Sequence, residues 1–339
     1  MIKVAVAGLG RMGISHVAIA NSHPDVEVVG VCDVSQFVLG ALQQYSTFAC
    51  FDNYDKMLDA TRPDGVIIAT PTSSHAEILR ATIAQGRHIF VEKPFCPESK
   101  DSCELVDLAR QHDIVNQVGY HLRFLATFKQ AKQLLDDHVI GDVYHFQAET
   151  YGPLVLNKSS SWRGKKSEAG GCLYDYASHT INLVNYLIGM PEAVHGSVLK
   201  RIYSSEVEDA VYSTLTFANG VTGQLAVNWS DETFRKMEAR LTILGSAGKI
   251  VVDRQECRIY LRGKNSVKDL EPGWNIQYTT DLTDPVWFYL RGEEFSAQID
   301  YFVKQIRTQN HDNINSFANA AETDVVIDMI KQDAIRLRR

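Results

Sequence analysis

The chain of 339 residues carries 34 Lys and Arg against 41 Asp and Glu, for a formal net charge of −7, with 45% hydrophobic and 22% charged residues. Those shares belong to an ordinary globular protein long enough for two domains, and the acidic balance argues against nucleic acid or an anionic membrane as partner. No apolar run approaches the roughly 18 residues that span a bilayer; Met1–Gly8 reads as a strand entering a turn rather than a signal peptide, and the six cysteines contain no Cys-x-x-Cys pair, so the cytoplasm is the expected compartment.

The first 120 residues alternate strand and helix. Ile2–Ala7, Val26–Cys32, Val66–Ala69, His88–Val91 and Ile114–Val118 are short β-rich runs without in/out alternation, as strands buried on both faces of a parallel sheet read. Met12–Ser22, Ser35–Tyr45, Ser74–Gln85 and Ser99–His112 read as the helices between them. The pattern predicts a doubly wound α/β domain with right-handed crossovers. After Gly119 come a helix to about Asp137, a strand Val143–Tyr151, an irregular stretch and a helix to about Ile188. Ala193–Leu261 then reads as mainly antiparallel, with Ala210–Phe217 and Val221–Trp229 flanking an Asn219-Gly220 turn. Arg240–Leu244 and Lys249–Val252 flank Gly245–Gly248 in the same way. The C-terminus returns to helix, with one apolar stripe at Phe295, Ile299, Phe302, Val303 and Ile306 and a final helix over Ser316–Leu337.

Gly8-Leu9-Gly10-Arg11-Met12-Gly13 follows the first strand and opens the first helix. The first glycine serves a tight turn, the second lets backbone approach a pyrophosphate, and the third lets helix pack on strand. The helix N-terminus adds amide donors and partial positive charge. Asp33, 20 positions past Gly13 (33 − 13), ends the second strand, where a carboxylate accepts from a ribose 2′-OH and repels a 2′-phosphate. The motif predicts a dinucleotide site that takes NAD in preference to NADP. Thr70 and Pro71, with His75 one turn on, read either as a helix start or as the lining of the nicotinamide pocket.

Glu92-Lys93-Pro94 ends a buried strand at the carboxyl edge of this sheet. Its lysine reads either as an ordinary salt bridge, with Glu92 as one partner, or as a group at the site of hydride transfer. Asp175 and His179 stand four apart on a predicted helix and share a face. They read either as a helix-surface pair or as a general base with its orienting carboxylate. No further metal ligands stand near them in sequence. The stretch Lys158–Lys166, with Trp162 and Arg163, reads as an anion-binding segment or a solvated basic loop. Tyr120 and Arg123, after the last strand of the first domain, are candidate substrate contacts.

These residues together resemble the Gfo/Idh/MocA oxidoreductase family, glucose–fructose oxidoreductase and inositol 2-dehydrogenase among them, over nearly the whole chain. The resemblance rests on the glycine motif at 8–13, Ala69-Thr70-Pro71 with His75, Glu92-Lys93-Pro94, Gly119-Tyr120 with Arg123, Trp162-Arg163, and the Gly170-Gly171 segment leading to Asp175 and His179. It implies a Rossmann domain over 1–120, with the final helix from about 316 to 337 packing back on it. A C-terminal α+β domain over 121–315 would carry a large open, mainly antiparallel sheet through which homodimers or homotetramers form. It further implies a cis Lys93–Pro94 bond and a cofactor site of Gly8, Gly10, Arg11, Met12, Gly13, Asp33, Thr70, Pro71, His75, Glu92 and Lys93. Lys93, Asp175 and His179 become the catalytic trio, with Tyr120, Arg123, Trp162, Arg163 and Asn182 as substrate contacts. Asn182 stands where many relatives carry Asp. The implied activity is hydride transfer between NAD and a CH–OH carbon of a sugar, sugar derivative or cyclitol. Two alternatives remain: a redox-neutral, NAD-using glycosidase, and a non-catalytic regulatory protein that senses NAD or sugar.

Overall fold

In the computed structural model, which describes residues 1–154, 162–264 and 270–336, the first third of the chain alternates β1 (Ile2–Ala7), α1 (Arg11–Asn21), β2 (Val26–Cys32), α2 (Gln36–Tyr45), β3 (Cys50–Phe51), α3 (Tyr54–Thr61), β4 (Gly65–Ile68), α4 (His75–Ala84), β5 (His88–Val91), α5 (Ser99–Gln111) and β6 (Asn116–Val118). Every pairing is parallel, in the order β3-β2-β1-β4-β5-β6. The order reverses between β1 and β4, the point at which such sheets bind ligands beyond the strands' carboxyl ends. Alternate residues explain the lack of polar alternation: Val4, Val6, Ile67 and Phe90 belong to the core on one face, Ala5, Ala7, Val66, Ile68 and Val91 to that on the other. β3 and α3, two and eight residues long, were not among the expected elements; the Asn53 side chain caps α3 by accepting from the Lys56 amide at 2.9 Å.

A second unit follows, built from α6 (Ala126–Asp136), β7 (Val143–Tyr151), α7 (Ser178–Leu187), β8 (Ala193–Lys200), β9 (Ala210–Thr216), β10 (Thr222–Asn228), β11 (Glu238–Gly245), β12 (Gly248–Val252), β13 (Glu256–Leu261), β14 (Gly273–Tyr278) and α8 (Thr279–Leu282). Its sheet has the order β14-β13-β12-β11-β7-β10-β9-β8. β7 and β10 are parallel and the other neighbours antiparallel. The Asn219-Gly220 turn joins β9 to β10, with Gly220 at φ 83° and the Asn219 carboxamide oxygen accepting from the Val221 amide. One face of the sheet, with Phe146, Ala148, Leu225, Leu241 and Ile250, packs on Phe128, Ala131, Ile181 and Val184 of α6 and α7.

The last helices, α9 (Glu293–Thr308) and α10 (Phe317–Arg336), divide differently from the expected boundary at 315. Compact unit one is Met1–His121 with Pro285–Ala321; unit two is Leu122–Asp284 with the chain from Glu322 onward. The helix that covers the parallel sheet is α9, because its stripe of Phe295, Ile299, Phe302, Val303 and Ile306 shares a core with Val4, Val6, Ile67 and Phe90. The final helix was expected there. Only its first turn takes part: Phe317 and Ala320 join the first unit's core, whereas Val326, Ile327 and Ile330 join the second's. The segment before it lies along β6, with Val118 N donating to Asn315 O at 2.8 Å and Asn315 Nδ2 to Tyr120 O at 2.8 Å. The cysteines are free; four are buried and Cys103 is exposed. Among the described residues no helix is long and apolar enough to cross a membrane.

Candidate functional site

The glycine motif joins β1 to α1, and the chain's own packing requires two of its three glycines. Gly8 has φ 85°, and an added Cβ would lie 2.6 Å from the Ala69 carbonyl. A Cβ on Gly13 would lie 1.7 Å from Gly8 O. Gly10 differs: its φ is −66°, open to any residue, and nothing stands within 4 Å of an added Cβ. The space it leaves is a cradle at the N-terminus of α1, whose first turn has no acidic residue and no side-chain cap. Backbone amides there suit a phosphate. Arg11 and Met12 open the helix, Arg11 exposed and Met12 half-buried. Asp33 stands just past β2, one oxygen accepting from Leu9 N at 2.5 Å and the other from Ser35 N at 2.8 Å. The chemistry of these residues fits a dinucleotide: open backbone at a helix N-terminus suits a diphosphate, and a carboxylate at the end of β2 suits a ribose hydroxyl.

At the carboxyl edge of β4, Thr70 Oγ1 accepts from Ser74 Oγ at 3.0 Å and Pro71 is exposed. His75 lies beneath them, buried, with Nε2 3.0 Å from Thr70 O and Nδ1 3.1 and 3.0 Å from the carbonyls of Pro94 and Phe95. It ties together the loops after β4 and β5. Burial lowers its pKa from 6.5 and outweighs those carbonyls, which favour the charged ring.

The Lys93–Pro94 peptide is cis. Glu92 spends its carboxylate elsewhere than on the Lys93 ammonium. Oε1 is 2.6 Å from Nε2 of His16 on α1, and Oε2 accepts from the Lys93 main-chain amide at 3.3 Å. Gly119 makes room for it, since a Cβ there would come within 3.1 Å of Oε2. Tyr120 is buried in the first unit's core.

Asp175 and His179 belong to the second unit, at the head of α7, and each is 3% exposed. The expected regular helix is broken here: Leu173–Ala177 form a π-turn that runs into α7, a feature often found at functional positions. Gly171, at φ 116°, starts the turn; a Cβ there would lie 2.2 Å from Glu208 Oε1. That oxygen accepts from Leu173 N at 2.9 Å. Glu208 thus caps the turn at its N-terminus, and burial raises its pKa above 4.5.

Arg163 of the predicted basic stretch donates Nε to Asp175 Oδ2 at 2.8 Å. Lys165 and Lys166 are exposed. Lys158 and the side chain of Trp162 lie outside the described residues. Arg123 and Asn182, both candidate substrate contacts, meet each other. The buried guanidinium donates Nε to Asn182 Oδ1 at 2.6 Å and NH2 to Asn182 O at 2.9 Å, and lies 5.1 Å from the centre of the Tyr186 ring. Asn182 Nδ2 donates to Thr323 Oγ1 at 3.0 Å, so both ends of its amide are engaged within the unit. His16 and Glu208 were not among the sequence candidates. Helical spacing can put His16 on the inner face of α1, but nothing local names its partner 76 residues away; Glu208 carries no sequence signal.

Residues 2–120 match the model of an oxidoreductase family with an NAD-binding Rossmann fold, and residues 128–251 match the GFO/IDH/MocA C-terminal domain. Fold and matches define an NAD-binding oxidoreductase, and NAD is its cofactor. The chain belongs to the Gfo/Idh/MocA family. Relatives include the D-glucoside 3-dehydrogenase of Escherichia coli, 25% identical over 69% of this chain and 70% of that protein. The scyllo-inositol 2-dehydrogenase (NAD(+)) of Bacillus subtilis is 24% identical over 82% of each. A solved levoglucosan dehydrogenase, in complex with NADH and levoglucosan, superposes with a TM-score of 0.87 at 23% identity, over 99% of this chain and 97% of that one; the likeness is one of fold.

Proposed function

We propose that the protein is an NAD-dependent dehydrogenase oxidising a CH–OH carbon of a sugar, sugar derivative or cyclitol. The observation that carries this reading is the burial of an acid and an imidazole, Asp175 and His179, at the π-turn that opens α7. Two titratable groups withdrawn from water close together in the chain serve proton transfer better than stability. The named activities of the glucoside and inositol dehydrogenase relatives support the substrate class.

When bound, nicotinamide supplies the two-electron acceptor. His179 takes the proton that the substrate hydroxyl gives up, and Asp175, itself held by Arg163, favours the charged ring. Lys93 stabilises the developing alkoxide. The Nε bond of Arg163 to Asp175 supports a role in holding that carboxylate, and the pairing of Arg123 with Asn182 supports a role for both in ordering the head of α7.

The test is formation of reduced cofactor, with NAD or NADP, across cyclitols, aldoses, sugar phosphates, uronic acids and nucleotide sugars. Turnover of one class with NAD, abolished in Lys93→Met while NADH binding persists, is the expected result. Binding of NAD without turnover of any class overturns it.

The same reading includes a homodimer or homotetramer. The outward face of the eight-stranded sheet presents Tyr212, Tyr260, Trp274, Ile276 and Tyr278, all exposed, and a second copy is the partner we assign to it. A monomer in solution by mass measurement overturns that assignment.

A further inference from the structure

His16 has no part in the glycine motif's usual chemistry, yet it is the residue of α1 most firmly tied to the sheet edge. It is fully buried, its ring set edge-on to Phe90 with centroids 5.1 Å apart. Nε2 meets Glu92 Oε1 at 2.6 Å, whereas Nδ1 has no hydrogen-bond partner among the described residues. A buried nitrogen without a partner is costly, so packing alone favours an apolar side chain or one with a single polar end. The polar work of this ring is therefore done at Glu92. The carboxylate passes the constraint on through Oε2 to the Lys93 amide, and Gly119 leaves the volume it occupies. With the adenine ribose at Asp33 and the diphosphate at Gly10, the nicotinamide half of the cofactor extends toward β4 and β5, where Lys93 leaves the sheet.

We propose that His16 is a positioning residue for Lys93, acting through Glu92. α1 then has two duties: its N-terminus receives the diphosphate, and its second turn fixes the backbone from which Lys93 projects. The inference rests on the role assigned to Lys93 above, and its test does not need turnover.

The probe is competitive acylation of the cofactor-free protein with acetic anhydride, with the rate at Lys93 read by mass spectrometry relative to exposed Lys56. His16→Met removes the donor at similar bulk; His16→Gln keeps an Nε2 donor. The Met variant should change relative acylation of Lys93 by about fivefold, the ratio that corresponds to a hydrogen bond of ~1 kcal/mol. The Gln variant should restore the parent value. Should His16→Met fail to fold, Glu92→Gln takes its place with the same expected change. Parent-like acylation in the donor-free variant, or equal damage in Met and Gln variants, overturns the proposal. If acylation responds as expected while no sugar is turned over, the positioning role stands and the dehydrogenase reading falls.

Discussion

Alanine at Gly10 and alanine at Gly13 add the same methyl group three residues apart, with opposite consequences. At Gly13 the methyl would sit 1.7 Å from Gly8 O and 2.8 Å from Gly8 C, both backbone atoms that no rotamer change can clear. α1 has to lift from β1. Overpacking of this kind costs about 1–3 kcal/mol and sometimes more, and a shortfall this large against backbone belongs at the upper end. The helix propensity of alanine returns about 1 kcal/mol, leaving a net loss of about 2 kcal/mol. At Gly10 no atom lies within 4 Å and the backbone is already extended, at φ −66° and ψ −172°. Weaker N-capping by alanine costs up to about 1 kcal/mol, and the lower entropy of the unfolded chain returns about 0.4–1 kcal/mol; stability changes little. The methyl instead fills the place of a phosphate oxygen, and NADH affinity should fall by at least about tenfold, or 1.4 kcal/mol. Urea unfolding without cofactor and fluorescence titration with NADH measure the two quantities separately. The reasoning fails if Gly10→Ala is destabilised as much as Gly13→Ala, or if it binds NADH as the parent does.

Asp33→Ser removes the carboxylate that the Leu9 and Ser35 amides hold; if that carboxylate meets the ribose, the ratio of NADPH to NADH affinity should rise at least about tenfold, and an unchanged ratio in paired titrations refutes the ribose assignment. Asn182→Ala removes the Oδ1 that accepts from the buried Arg123 Nε at 2.6 Å and should cost about 1–3 kcal/mol in urea. A variant of parental stability with only a raised sugar KM would return Asn182 to the pocket. His75 predicts a pH dependence. Its folded pKa lies below 6.5, so beneath that value the unfolded chain binds the extra proton, and this contribution to stability falls as pH falls toward the folded pKa. Over that range it amounts to at most about 1.4 kcal/mol per pH unit, and His75→Gln should flatten the slope of urea midpoint against pH; an identical slope refutes the assignment.

The parts of this molecule that were legible in its sequence are those whose cause is local. The parallel strands declared themselves by apolar runs of Val, Ile and Ala, because both faces of each are covered. The β9–β10 hairpin declared itself by Asn219-Gly220, because glycine takes the positive φ without strain and the Asn219 side chain accepts from the Val221 amide. The stripe on α9 was equally visible, yet it names no destination. An apolar helix face fits either sheet, and the choice follows from which sheet face other elements leave open, a property of the assembled chain. The site divides along the same line. Spacing placed Asp175 and His179 on one helix, but the π-turn between Leu173 and Ala177 depends on Glu208, 35 residues past Leu173, for its cap. Glu92 lay in view beside Lys93, and its hydrogen-bond partner stood 76 residues away on α1. Gly119 shows why such links stay hidden: it reads as the punctuation that ends a strand, and its requirement comes from the Glu92 carboxylate, which a Cβ would meet at 3.1 Å. Period and turn chemistry give a side chain its direction, and what it meets there is decided by strand order.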